Sequence, residues 1–156
     1  MEKKENKTAQ KGVVKITKSD VIKLSGALGE VLYGEMSSEG AMNFMKATIA
    51  IQAAAKSVEN EQNKIIEGFR TDEYKDLSEK VNSKTANEKE IERFNDLNRV
   101  AVPKSNEMLE TLFKEEVELD ISLISEDDFN KLREANKSKI TNGGFVVIYK
   151  YLCQKD

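Results

Sequence analysis

The chain has 156 residues, 38% hydrophobic and 34% charged, with 25 Lys plus Arg against 28 Asp plus Glu and neither histidine nor tryptophan. Without imidazole there is no Ser–His or Cys–His nucleophile pair, no His-ligated zinc or haem, and no side chain whose ordinary pKa lies near neutrality. A formal charge of −3 excludes a field strong enough to draw in nucleic acid or an anionic membrane.

This length is enough for one domain with a real core, and a mean hydropathy of −0.59 implies a core laid out in stripes. Residues 1–12 carry Lys3, Lys4, Lys7 and Lys11 with little that is apolar, which predicts a mobile, solvated tail. No apolar run approaches ~18 residues, so neither an export signal nor a membrane span is expected. The alternation from Val13 to Thr17 predicts a short strand. Ser19 then stands as N-cap of an amphipathic helix of about four turns carrying Val21, Leu24, Leu28, Val31 and Leu32, ended by Gly34.

The next helix is expected over Ser38 to Phe69. Phe44, Thr48, Ile51, Ala55, Val58, Gln62, Ile65 and Phe69 alternate spacings of four and three, the seam of a coiled coil. The first half is apolar nearly all round and is expected to be wrapped by other elements. The charged stretch from Arg70 to Glu90, with a turn at Asn82 to Asn87, reads as a hairpin tip. Ile91, Phe94, Asn98, Ala101, Ser105, Met108 and Leu112 then repeat the seam rhythm, predicting an antiparallel return. Gln62 and Asn98 are polar seam positions of the kind that fix register, and Pro103 predicts a kink or short break at Val102.

After Phe113 the period falls to two. Val117, Leu119, Ile121 and Leu123 predict a half-buried strand paired with Val13 to Thr17. Ser125, followed by Asp127 and Asp128, predicts a capped helix through Phe129, Leu132 and Ala135. The segment Phe145 to Cys153 fits a strand by composition and a Thr141-capped helix by spacing. The fold expected is mainly α with minor β: a long antiparallel, coiled-coil-like helical hairpin (38–113) on a small base of short helices and a two-stranded sheet (13–37 and 114–156).

ITKSDVIKLSGALGEVL, the long helix, EVELDISLISEDDF and ITNGGFVVIYKYL follow one another in an order that resembles a family of small tailed-phage proteins of unknown function. These are encoded among the structural and tail genes of phages of low-GC Gram-positive bacteria. The similarity covers Val14 to Phe69 and Met108 to Leu152. It rests on the Val117 to Ile121 alternation, the run Ile124 to Phe129 and the Ile140-Thr141 cap, all packing and capping positions. Gly26, Gly29 and Gly143-Gly144 depart from the pattern.

No residue set carries chemistry. Cys153 has no histidine and no CxxC partner, and reads as a buried or incidental thiol. Asp127 with Asp128, and Glu115 with Glu116, point about 100° apart on a helix and read as capping and solvating groups, not metal ligands. Gly143-Gly144 lacks a phosphate-loop motif and reads as a turn or a helix entry. Met36, Met42, Met45 and Met108 read as gap fillers.

The expected site is therefore a protein-binding one, formed by seam and flank residues Ile51, Val58, Ile65, Ile66, Phe69, Ile91, Phe94, Leu97, Ala101 and Met108. The corresponding function is a non-enzymatic phage structural or assembly protein of the tail or head-to-tail region. It would bind a phage structural protein or a second copy of itself. No cofactor, metal, small-molecule substrate, nucleic acid or membrane is expected. It would work in the host cytoplasm during assembly, with the virion as a further location. The alternative is a phage-encoded inhibitor that offers acidic helix faces to a host nuclease or defence enzyme.

Overall fold

The computed structural model of the chain describes residues 11–155. Residues 1–10 of the expected tail lie outside them, and Lys11 and Gly12 open the first strand. The elements are β1 (Lys11–Thr17), α1 (Lys18–Ala27), α2 (Ser38–Phe69), α3 (Asp72–Asn82), α4 (Glu88–Lys114), β2 (Glu116–Ser122), α5 (Glu126–Ala135) and α6 (Asn142–Leu152). The protein is thus mainly α with minor β. It forms two compact units: one holds the described residues up to Lys56 with those from Glu116 onward, the other Ser57–Glu115. The boundary falls inside α2.

In the first unit β1 and β2 pair antiparallel, from Lys11 opposite Ser122 to Thr17 opposite Glu116, the pairing expected from their alternation. Ile16 and Ile121 are buried on one face, while Lys15 meets Glu118 at 3.8 Å on the other. Opposite-charge cross-strand pairs of this kind add a few tenths of a kcal/mol, up to about 1.

α1 starts directly from the strand. Thr17 Oγ1, not Ser19, accepts the Asp20 amide at 3.1 Å. The helix ends at Ala27, short of the expected Leu32, with Gly26 and Gly29 weakening its end. The deciding interaction is distant: buried Asn136 on the last turn of α5 accepts the Leu32 amide at 2.9 Å and donates to the Leu32 carbonyl at 2.7 Å. That side chain takes the Leu32 amide, which a longer α1 would have used, together with the Leu32 carbonyl. Gly34 then turns the chain with φ +59, and a Cβ there would lie 2.6 Å from Ala135 Cβ.

Ser37 caps α2. Its Oγ accepts the Gly40 amide at 3.0 Å, while its own amide and hydroxyl both donate to the Asp128 carboxylate at 2.8 Å. Asp128 is buried, so it serves as a clamp between α5 and the start of α2 and not as the solvated cap the sequence suggests. Its carboxylate is tolerated there because two donors neutralise the cost of desolvation. Gly40 makes room for it, since a Cβ at that position would lie 2.1 Å from Asp128 Oδ2.

Phe145–Leu152 resolves as helix, with Cys153 extended just after it: Thr141 Oγ1 caps α6 by accepting the Gly144 amide at 3.1 Å. Just beyond it, Ile124 pairs with the chain end through Ile124 N to Leu152 O at 2.9 Å and Gln154 N to Ile124 O at 2.7 Å. Cys153 is buried there. Ile16, Val21, Leu24, Phe44, Ile51, Leu132, Ile148 and Leu152 form the interior. The first half of α2 is covered only along Phe44, Ala47, Ile51 and Ala55. Met42, Met45 and Ile49 remain exposed, and so does Met108 on α4. The gap-filling role expected of these methionines therefore does not hold, because all three stand away from the buried stripes. Among the described residues no helix is long and apolar enough to cross a membrane.

Candidate functional site

The unit Ser57–Glu115 contains the end of α2, the whole of α3 and α4. α3 is an element the sequence reading missed. Thr71 Oγ1 accepts the Tyr74 amide at 3.2 Å, Asp72 and Glu73 occupy the first turn, and Tyr74, Leu77 and Val81 keep helical spacing within an otherwise charged stretch. The tight turn after it follows from local chemistry. Lys80 carbonyl accepts from Thr85 N at 2.9 Å and Ala86 N at 3.2 Å, and Lys84 takes φ 60. Asn87 and Glu90 then form a reciprocal capping box that starts α4, two otherwise orphaned amides being satisfied at once.

α3 is the antiparallel neighbour of the first half of α4. Lys80 Nζ donates to Glu90 at 2.8 Å, the Tyr74 and Phe94 rings lie 5.2 Å apart, and the Tyr74 hydroxyl donates to Asn98 Oδ1 at 2.8 Å. Arg93 places two donors on the Glu73 carboxylate at 2.7 and 3.2 Å. The hydrogen bond from Arg93 lowers the Glu73 pKa, and Lys80 together with the Asn87 amide lowers that of Glu90. Asn98, expected to fix register in the seam with α2, instead accepts its hydrogen bond from Tyr74 of α3. α4 is continuous through Pro103, so of the kink or short break expected at Val102 the break does not occur. Val102, Pro103 and Lys104 are exposed, so water can serve the carbonyl that the missing N–H leaves open.

The expected interaction residues divide by exposure. Ile51, in the other unit, is 0% exposed and Val58 is 1% exposed, so both belong to the interior and neither is open to a partner. Ile65, Ile66, Phe69, Phe94, Leu97 and Ala101 are half-buried. Ile91 and Met108 stand out at 42% and 48% exposure. They lie about 100° apart around α4 at 3.6 residues per turn, so they do not form one patch. Each has a companion three turns away: Leu97 with Met108 on one flank, and Val102 with Ile91 on the other.

Val102, 49% exposed, is the residue sequence reasoning overlooked. Its separation of eleven from Ile91 and seven from Leu109 was the available signal, since these steps return to the same face within about 20°. No protein-family model, curated protein or solved structure matches the chain. The flank Ile91–Val102–Leu109 is thus defined by its own geometry: two exposed branched apolar side chains and a half-buried leucine in line, on a helix held rigid by the α3 contacts. Charges in this unit are interleaved. Glu67 meets Arg70 at 3.4 Å and Lys75 at 3.5 Å, Asp76 meets Lys80 at 3.3 Å, and Asp96 meets Arg99 at 3.1 Å. Among the described residues no group of three Cys, Asp or Glu side chains is arranged to hold a metal ion.

Proposed function

We propose that this protein is a non-enzymatic structural or assembly component of a tailed phage, working in the host cytoplasm and binding a protein partner through the flank of α4. The observation that carries the reading is the exposure of Ile91 and Val102 in line on one face of α4, a helix that Glu73, Tyr74 and Lys80 fix, Tyr74 through Asn98 on that same face between them. A preorganised helix presents apolar surface at low ordering cost. Covering these two side chains removes roughly 150 Å² of apolar surface, about 4 kcal/mol before association costs. That is well below a standard interface of about 800 Å² per partner, so the partner's contact extends past them. The interleaved ion pairs favour this reading over an acidic decoy for a host nuclease, because no unbroken negative field is presented.

The test uses a phage whose genome encodes the chain. Purified particles, or assembly intermediates cross-linked before purification, are expected to contain it by mass spectrometry, and the double substitution Ile91→Glu/Val102→Glu is expected to remove it without unfolding it. Absence from every particle and intermediate, with inhibition of a host enzyme in trans, would establish the inhibitor reading instead.

A further inference from the structure

α1 and α6 pack against each other, and Gly144 permits the close approach: a Cβ there would lie 2.8 Å from Ile140 Cγ2 and 3.3 Å from Ala27 Cβ. Beside this contact lies a groove of about 520 Å³ lined by apolar Ala27, Ile140 and Val147 and by the ammonium side chains Lys23 and Lys139. No carboxylate lines it. Among the described residues Lys139 has no ion pair, while Lys23 reaches Asp20 at 3.8 Å.

Two further glycines border the same groove, Gly26 and Gly143, and neither is explained by packing or by backbone conformation. A Cβ at Gly26 would meet nothing within 4 Å, one at Gly143 only Thr141 Oγ1 at 3.9 Å, and neither residue has positive φ. Alanine would fit both sites and favour helix by about 0.5–1 kcal/mol. Glycine instead leaves bare backbone where another chain can approach closely.

We propose that this groove binds an acidic peptide segment of a partner protein. An apolar side chain lies against Ile140 and Val147, and neighbouring carboxylates meet Lys23 and Lys139. The charge complementarity is one-sided: an acidic segment gains Lys139, shares Lys23 with Asp20, and meets no carboxylate in the lining, whereas a basic one is repelled. The groove is independent of the α4 flank.

The test is a titration of the isotope-labelled full chain, followed by NMR, with the blocked peptide acetyl-Glu-Leu-Glu-amide. The charge-reversed acetyl-Lys-Leu-Lys-amide and inorganic phosphate are the comparison ligands. The Gly26 and Gly143 amides are expected to shift saturably with the acidic peptide alone, with affinity falling roughly ten-fold in Lys139→Glu and in Gly26→Leu, while α4 amides stay still. Equal shifts with phosphate would reduce the site to one for simple anions and overturn the proposal. No saturable shift up to about 10 mM peptide, or the same affinity in Lys139→Glu, would overturn it as well.

Discussion

Asn136 ends α5 and is 0% exposed, and the substitution Asn136→Ala tests how the link between α1 and α2 is held. Its side chain makes three hydrogen bonds: from Leu32 N at 2.9 Å, to Leu32 O at 2.7 Å and to Leu132 O at 2.8 Å. At about 1 kcal/mol net for each bond, alanine is expected to cost about 3 kcal/mol. A chain of this size then melts roughly 6–12 °C lower. Urea unfolding followed by circular dichroism measures the loss, and hydrogen exchange locates it, with the Leu32 amide expected to lose its protection. Asn136→Asp sharpens the test. Its ionised carboxylate would face two carbonyl oxygens, raising the folded pKa of that Asp above its unfolded value. The variant is therefore expected to recover stability as pH falls through that raised pKa, when one oxygen becomes a donor. A loss under about 0.5 kcal/mol in Asn136→Ala, with Leu32 exchange unchanged, would refute this account of the link.

Gly34→Ala is expected to cost about 2–3 kcal/mol, because alanine pays for φ +59 and its Cβ meets Ala135 Cβ at 2.6 Å; equilibrium urea unfolding measures it. Glu73 and Glu90 have lowered pKa values, Glu73 through the Arg93 hydrogen bond and Glu90 through that of Lys80. Their contribution to the α3–α4 pairing is present above the ordinary value of 4.5 and lost as pH falls through the lowered values. The protection factor of the Phe94 amide is expected to fall under acid, with a smaller change in Glu73→Gln. Tyr151 is shifted the other way: burial raises its pKa, helped by the hydrogen bond its hydroxyl donates to Asp20. The stability it adds is complete below the ordinary 10.0 and lost as pH rises through the raised value, and Tyr151→Phe is expected to abolish that alkaline dependence in thermal melts.

Local patterns were legible wherever they were also decided locally. The α2 bounds, the β1–β2 pairing, the Ser125 and Thr141 caps and the turn before Asn87 all follow from alternation, heptad spacing or short polar residues. What could not be read depended on residues far apart in the chain. α1 stops early because Asn136 occupies the backbone of Leu32, and Asp128 is buried because Ser37 supplies two donors. α3 was hidden by its charge: the stretch Arg70 to Glu90 reads as a charged hairpin tip, whereas its Glu73 and Lys80 bond to α4. On α4 the seam rhythm picked out Asn98 as a polar position, but its hydrogen bond goes to Tyr74 of α3, and Val102, one step outside the seam, went unmarked although it lies within about 20° of Ile91.

The central claim is that the flank of α4 is the surface the protein uses. Thiol reactivity tests it most directly, because Cys153 is the single cysteine and is buried. Val102→Cys and Val100→Cys, the latter replacing a residue 67% exposed about 160° away around α4, are to be labelled in the free chain and in assembling phage particles. The account predicts labelling of both positions when free and selective protection of position 102 on assembly. Equal labelling of both positions in the assembled state, or protection of position 100 alone, would contradict it.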